Sequence, residues 1–251
     1  MKRRIASFMA AAILAATSHS AGALTSLPAQ PRAGQDFLLH FEGSLDCGIS
    51  ASTHAGVATV SGSTITVTYP TGNICGLIQP GLYVNAAVPG LAAGSYAVVE
   101  KSSSSGSTRN SGTITVLPST AVTRVSTSLA GLWYVPEAPG WGINIAEGQS
   151  GQLFVTWFTY ASGNDGALIG GPVWSFTSGG QWVTPTQFTG VLATSLATPF
   201  GKPFDPASFS AAPVGMSSIT LTGPDTLAFA ITLVHATVES TQTFNLTRYK
   251  F

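Results

Sequence analysis

The stretch GLWYVPEAPGWGINIAEG, residues 131–148, decides how the second half of the chain is interpreted. It contains two tryptophans, a tyrosine, two prolines and two glutamates, in a chain of which only 8% of the residues are charged. Apolar residues alternate on both sides of the segment PEAPG, which predicts two strands joined by a connection. Proline there removes a ladder hydrogen bond and ends strand pairing. We therefore expect these residues to form the first hairpin of a β-domain.

The alternation also assigns the side chains of this hairpin to two faces. Trp133 and Tyr134 are adjacent in sequence, so their rings point to opposite sides of a strand. We expect Trp133 to point into the core together with Trp141, Ile143 and Ile145. Burial of a large aromatic side chain is the more common outcome for such a position.

Eight strand candidates follow one another from residue 131 to the end of the chain. An antiparallel succession of eight strands in about 120 residues predicts a small closed or nearly closed barrel. A second β-sandwich is the alternative. The segment QLFVTWFTY, residues 152–160, is apolar on both faces. We expect Leu153, Val155 and Trp157 to line the core and the opposite face to be covered or used.

Residues 24–117 have the pattern of a separate β-domain. GVATVSGSTITVTYP contains two β-branched runs around residues 61–63, which is a hairpin signal. Short strands of this kind predict a small sandwich. The segment VPGLAAGSYAVVE resembles the late strands of bacterial Ig-like and fibronectin-like domains, in which a tyrosine packs at a corner, and Tyr96 has that place. We expect an Ig-like β-sandwich over residues 24–117 and a Ser/Thr-rich linker at residues 118–130.

The N-terminal residues 1–23 have the features of a signal peptide. Three basic residues precede an apolar run that is too short to span a membrane, and an Ala-Gly-Ala site follows it. We therefore expect an exported protein, either periplasmic, secreted or on the cell surface. Without this segment the chain keeps seven of its ten basic residues against ten acidic ones, a net charge of −3. A weakly acidic chain without a basic cluster is not expected to bind nucleic acid.

The chain has two cysteines, Cys47 and Cys75. A lone pair in an exported protein predicts a disulfide. The alternatives are a metal site or a catalytic thiol, which would need further ligands or partners at suitable spacing. We expect the disulfide, and we expect no metal site and no cofactor.

The second half of the chain carries GLWYVPEAPGWG, LFVTWFTY, PFDP, VGMSSITL and LTR in that order. These motifs resemble an uncharacterised β-domain family of secreted and surface proteins of proteobacteria. The pattern of that family is GLWW-N-P-x-E-S-G-W-G, then TWFTY, PFDP, VG-x-x-TL and TR. The resemblance covers residues 131–251 and implies an exported β-domain, often beside an Ig-like one. It implies no reaction, because the family has no established activity.

The clustered aromatic residues favour a non-catalytic binding or adhesion protein whose extracellular ligand is a glycan, a peptide or another protein. Exposed rings can stack on such a ligand while polar side chains supply hydrogen bonds. The hypothesis assigns three residues near the hairpin and two tryptophans flanked by turns to this surface. These ligand-binding candidates are Tyr134, Glu137, Asn144, Trp174 and Trp182.

Two other functions remain open. The first is a small secreted hydrolase with a dispersed site, for which Glu137, Glu147 and Asp165 are the candidate carboxylates. No catalytic motif supports it, so we assign no catalytic residue and expect a non-enzyme. The second is an outer-membrane barrel, suggested by the terminal RYKF. The last strand lacks a sustained apolar face, so membrane contact is not expected.

Overall fold

The computed structural model describes residues 24–42, 55–69, 83–103, 105–160, 171–235 and 238–250. Within these residues the chain is all-β, with sixteen strands and one 3-10 helix at Pro206–Ser208. Cys47 and Cys75 lie outside the described residues, so their disulfide stays a prediction. Within the described part of the chain, no helix has the length and apolar character needed to cross a membrane.

The N-terminal half forms two sheets that pack face to face. One sheet has the strand order β1-β2-β5 and the other has the order β3-β4-β6-β7. The strands are β1 (Leu24–Leu27), β2 (Phe37–Glu42), β3 (Val57–Ser61), β4 (Thr64–Tyr69), β5 (Tyr83–Val88), β6 (Gly94–Ser102) and β7 (Thr108–Val116).

The core of this half lies between the two sheets. Alternate residues of β2 and β5 meet alternate residues of β4, β6 and β7 in one buried cluster. Tyr96 borders this core, and its hydroxyl donates a hydrogen bond to the carbonyl of Ala92 at 3.0 Å. However, β4 and β6 pair in parallel. Ig sheets are antiparallel, so the Ig-like assignment is not confirmed, although two sheets around one core are present.

The C-terminal half is a closed antiparallel barrel of eight strands. The order is β11-β10-β9-β8-β16-β15-β14-β13, and pairing between β11 and β13 closes the ring. The short β12 lies outside the ring as a neighbour of β13. The strands are β8 (Gly131–Tyr134), β9 (Gly142–Glu147), β10 (Leu153–Tyr160), β11 (Pro172–Ser178), β12 (Gln181–Thr184), β13 (Gln187–Leu196), β14 (Ser210–Gly223), β15 (Thr226–His235) and β16 (Val238–Arg248).

This closure confirms the predicted barrel and makes the alternative of a second sandwich wrong. The period-2 pattern of β10 shows the inside and the outside of the barrel. Leu153 and Val155 are buried in the interior, whereas Phe154 is exposed on the outer surface. An eight-stranded barrel is just wide enough for side chains to fill it or for one small ligand to enter.

Residues 131–148 form the predicted hairpin, in which β8 pairs with β9 in antiparallel fashion. Gly140 in the connection has φ +111, a conformation that L side chains rarely adopt. Gly142 starts β9 so close to β8 that a Cβ atom there would lie 2.4 Å from the carbonyl oxygen of Trp133. The two glycines therefore allow the chain to turn and the strands to meet.

One end of the barrel is covered by residues 124–130, and we call it the closed end. Leu129 is fully buried in the barrel core, and its carbonyl accepts a hydrogen bond from Trp133 Nε1 at 2.9 Å. Arg248 donates to the carbonyls of Ala130 and Ser128, both at 2.6 Å. The second half of the predicted linker is thus an integral part of the barrel.

The two halves of the chain are in contact through the outer face of the β1-β2-β5 sheet. Leu38 packs against Val191, Met216 and Val234 on the outside of the barrel. These four buried side chains form a small apolar cluster separate from the two domain cores. The two halves are therefore connected by direct packing as well as by the linker.

A buried polar side chain fixes this docking. Asn85 is 1% exposed, and its Nδ2 donates to the carbonyls of Pro213 and Val234, both at 3.2 Å. His40 Nδ1 lies 2.7 Å from the Asn85 Oδ1, which accepts from it. Because buried polar groups need partners, this arrangement favours one relative placement of the two halves.

Candidate functional site

The end of the barrel opposite the closed end contains a cavity of about 550 Å³. It lies among the last residues of β10, β13 and β15 and the first residues of β11, β14 and β16. We call this end the open end because, among the described residues, the exposed Tyr160 forms part of its rim. The lining residues are Trp141, Trp157, Thr159, Tyr160, Val173, Ser175, Thr194, Val214, Ile231, Leu233, Gln242 and Phe244.

Aromatic rings form much of the cavity wall. Trp141 packs edge-on against Phe244, with ring centroids 4.6 Å apart. Trp157 packs in the same manner against Phe229, which belongs to the filled part of the interior. The Trp157 Nε1 is buried and has no hydrogen-bond partner among the described residues. Such an orphaned donor is rare in folded proteins and is a common feature of sites where a ligand or water belongs.

The polar part of the lining is neutral. Thr159, Ser175, Thr194 and Gln242 contribute hydroxyl and amide groups, and none of the twelve lining residues is an acid, a base or a histidine. Hydroxyl and amide side chains can both donate and accept hydrogen bonds. The cavity thus combines aromatic faces with uncharged hydrogen-bonding groups, as ligand pockets commonly do.

The structure places the five predicted ligand-binding residues at separate locations. Tyr134 is half-buried beside Tyr249, with ring centroids 5.7 Å apart. Glu137 is exposed in the β8–β9 connection, and Asn144 is exposed on the outer face of β9. Trp174 is exposed on the outer face of β11 and borders a groove next to the cavity.

Trp182, the fifth, lies at the closed end and is half-buried. Its Nε1 donates to the carbonyl of Gly151 at 2.9 Å, and its ring packs edge-on against Phe188. The guanidinium of Arg124 lies 5.6 Å from its ring centroid. These contacts give Trp182 a structural environment away from the cavity.

The three aromatic residues predicted for the core differ in burial. Trp133 is 0% exposed and sits deep in the filled interior. Trp141 and Trp157 are half-buried, and both line the cavity. Sequence reasoning missed Thr159, Ser175 and other inward residues near the strand ends, although the period-2 pattern together with position in the strand contains that signal.

The carboxylates proposed for a hydrolase do not meet at the cavity. Glu147 ends β9, five residues and about 17 Å from Gly142, whereas Glu137 lies in the connection before Gly142. Paired glycosidase carboxylates are about 5–9.5 Å apart. Asp165 lies outside the described residues. The structure therefore does not bring the two described candidates, Glu137 and Glu147, together as a carboxylate pair.

Glu147 instead has a structural environment at the closed end. It forms an ion pair with Arg124 and accepts hydrogen bonds from the Ser128 hydroxyl and the Leu129 N–H, both at 2.9 Å. Burial disfavours its charged form, but these two hydrogen bonds and the Arg124 charge outweigh it and lower the pKa of Glu147 below its usual value. The carboxylate thereby holds residues 124–129 against β9.

In comparisons with family models, with curated proteins and with solved structures, nothing matches the chain. Among the described residues, no group of three or more His, Cys, Asp or Glu side chains is placed to hold a metal ion. The candidate site is therefore the cavity at the open end of the barrel, which is lined by aromatic rings and uncharged side chains.

Proposed function

We propose that the chain is an exported, non-catalytic binding protein that holds an uncharged ligand in the open end of its barrel. The observation that carries the proposal is the 550 Å³ cavity, which is lined by aromatic rings and neutral polar side chains. Its volume is within the range of about 300–1,000 Å³ typical of ligand sites. A charged ligand would lose its hydration there without gaining a countercharge.

A sugar is the ligand that fits this lining best. A sugar ring presents an apolar C–H face and a rim of hydroxyls, so it can contact an aromatic ring and exchange hydrogen bonds at once. Trp141 and Trp157 offer the rings, and Thr159, Ser175 and Gln242 offer the hydrogen bonds.

A peptide is the alternative ligand. Peptides often bind by adding a strand to a free sheet edge. Each of the eight barrel strands has a neighbour on both sides, but β16 pairs with β8 at only two residues and β11 pairs with β13 at only two, so parts of these strands and the short β12 have free edges among the described residues. A peptide strand added to one of these edges would lie along the barrel wall, whereas the aromatic rings and neutral polar groups face the cavity, and this makes the sugar the favoured occupant of the cavity.

The experiment is a glycan and peptide array probed with residues 24–251, followed by titration of the best neutral sugar by calorimetry. Two variants on β10 provide a matched pair. Thr159→Phe places a ring inside the cavity, whereas Thr156→Phe places the same ring on the opposite face of the strand. We expect Thr159→Phe to abolish binding and Thr156→Phe to retain it. Equal binding by both variants would show that the cavity is not the site.

A further inference from the structure

A groove of about 300 Å³ lies directly beside the cavity, on the outside of the barrel. Val173 and Thr194 belong to the lining of both spaces. The two spaces are thus adjacent, with the side chains of Val173 and Thr194 at their border.

The groove exists because the barrel closes by a short seam. Strands β11 and β13 pair at only two positions, Ser175 with Thr194 and Phe176 with Ala193. Toward the open end, β11 continues to Pro172 and β13 to Leu196, but these ends have no pairing with each other among the described residues. The strands separate there, and the groove lies in the gap.

The chemistry of the groove matches that of the cavity. Trp174 forms one wall and is 68% exposed, so its ring is available to a ligand. Ser195, Thr194 and Ser210 contribute hydroxyl groups, and none of the eight residues lining the groove is charged. An exposed ring beside neutral hydroxyls is again suited to a sugar unit and unsuited to an ionic group.

We propose that this groove is a second subsite, which takes the next unit of a neutral oligosaccharide whose end unit occupies the cavity. The inference rests on the proposed function and adds that the ligand is a chain. The chain leaves the cavity over Val173, passes through the open part of the seam and stacks its next unit on Trp174.

The test uses residues 24–251 with malto-, cello- and chito-oligosaccharides of one to four units, titrated by calorimetry and by saturation-transfer NMR for weak binding. We expect affinity to rise on going from one unit to two by about fivefold, the factor that one aromatic contact provides. Trp174→Ala should remove this gain and leave single-unit affinity unchanged, and Trp174→Phe should restore part of it.

The control is Phe154→Ala, which removes another exposed ring from the barrel exterior outside the groove. It should keep the full gain with chain length. One outcome would overturn the second subsite and leave the proposed function in place. In that outcome, single units bind, Thr159→Phe abolishes this binding, and longer chains bind no more tightly. A gain that persists in Trp174→Ala would also overturn it. Absence of binding to every sugar would refute the sugar-binding function itself.

Discussion

Truncation of Trp133 to alanine tests the role assigned to the hairpin at residues 131–148. The ring is 0% exposed, and its Nε1 donates to the carbonyl of Leu129 at 2.9 Å. The guanidinium of Arg248 lies 4.2 Å from the ring centroid. Removing a buried tryptophan costs about 3–5 kcal/mol. The variant also leaves a buried carbonyl without its donor, so we expect the loss to fall near 5 kcal/mol, the upper end of that range.

Two further variants separate the contributions. Trp133→Phe keeps most of the ring but removes the donor to Leu129, and we expect a loss of about 2 kcal/mol. Trp174→Ala removes a tryptophan that is 68% exposed, and its unfolding free energy should change by no more than about 0.5 kcal/mol. The expected order of stability is therefore wild type and Trp174→Ala, then Trp133→Phe, then Trp133→Ala.

The assay is urea denaturation of residues 24–251, followed by tryptophan fluorescence and by circular dichroism. All five tryptophans lie between residues 133 and 182, so the fluorescence reports on the barrel alone, even when the two halves unfold in separate steps. Fluorescence midpoints that do not differ between Trp133→Ala and wild type would refute the burial argument. So would a Trp174→Ala variant as unstable as Trp133→Ala.

Three more predictions concern other parts of the chain. Glu147→Gln should destabilise the barrel by about 1–2 kcal/mol at neutral pH. Because the folded-state pKa of Glu147 is lowered, its stabilisation is present above the unfolded pKa of about 4.3 and is lost as the pH falls through the folded-state pKa. The difference in urea midpoint between Glu147→Gln and wild type should therefore become smaller in acid. A difference that does not change with pH would contradict the stabilising role of the Glu147 charge. Asn85→Ala should loosen the docking of the two halves, measured as faster proteolysis at residues 118–123, and an unchanged cleavage rate would argue against it. Peptide mass spectrometry of exported, non-reduced protein should find Cys47 joined to Cys75, and two free thiols would exclude this bridge.

Much of the barrel follows from local sequence patterns. Each of the eight barrel strands overlaps one of the eight candidates marked by alternation and by turn residues. In β10, the inward and outward residues follow the period of two along the strand. These features are predictable because they depend on neighbours a few residues away. The number of strands alone predicts that the sheet closes into a ring. In the structure, β11 and β13 close the ring by pairing at only two positions.

The roles of several single residues depend on contacts that are distant in sequence. Leu129 lies in a Ser/Thr-rich stretch and has no local sign of burial, yet it is fully buried beneath Trp133. Trp182 is flanked by turns, which suggested exposure, but Gly151 and Arg124 from other segments cover it. Only the order of strands around the barrel brings these residues together, so alternation and turn signals could not reveal them.

The distribution of charge gives the two ends of the barrel different physical characters. At the closed end, Arg124 pairs with Glu147, and Arg248 and Lys250 pair with Asp225. These pairs hold the covering segment and the last strand in place. The open end has a cavity and a groove whose linings contain no acid, base or histidine. A ligand bound there would be recognised by shape, by aromatic contact and by hydroxyl geometry, since the described lining offers no charge. In a chain with so few charged residues, the ion pairs at the closed end fix the covering segment and the last strand, while the described lining at the open end carries no charge.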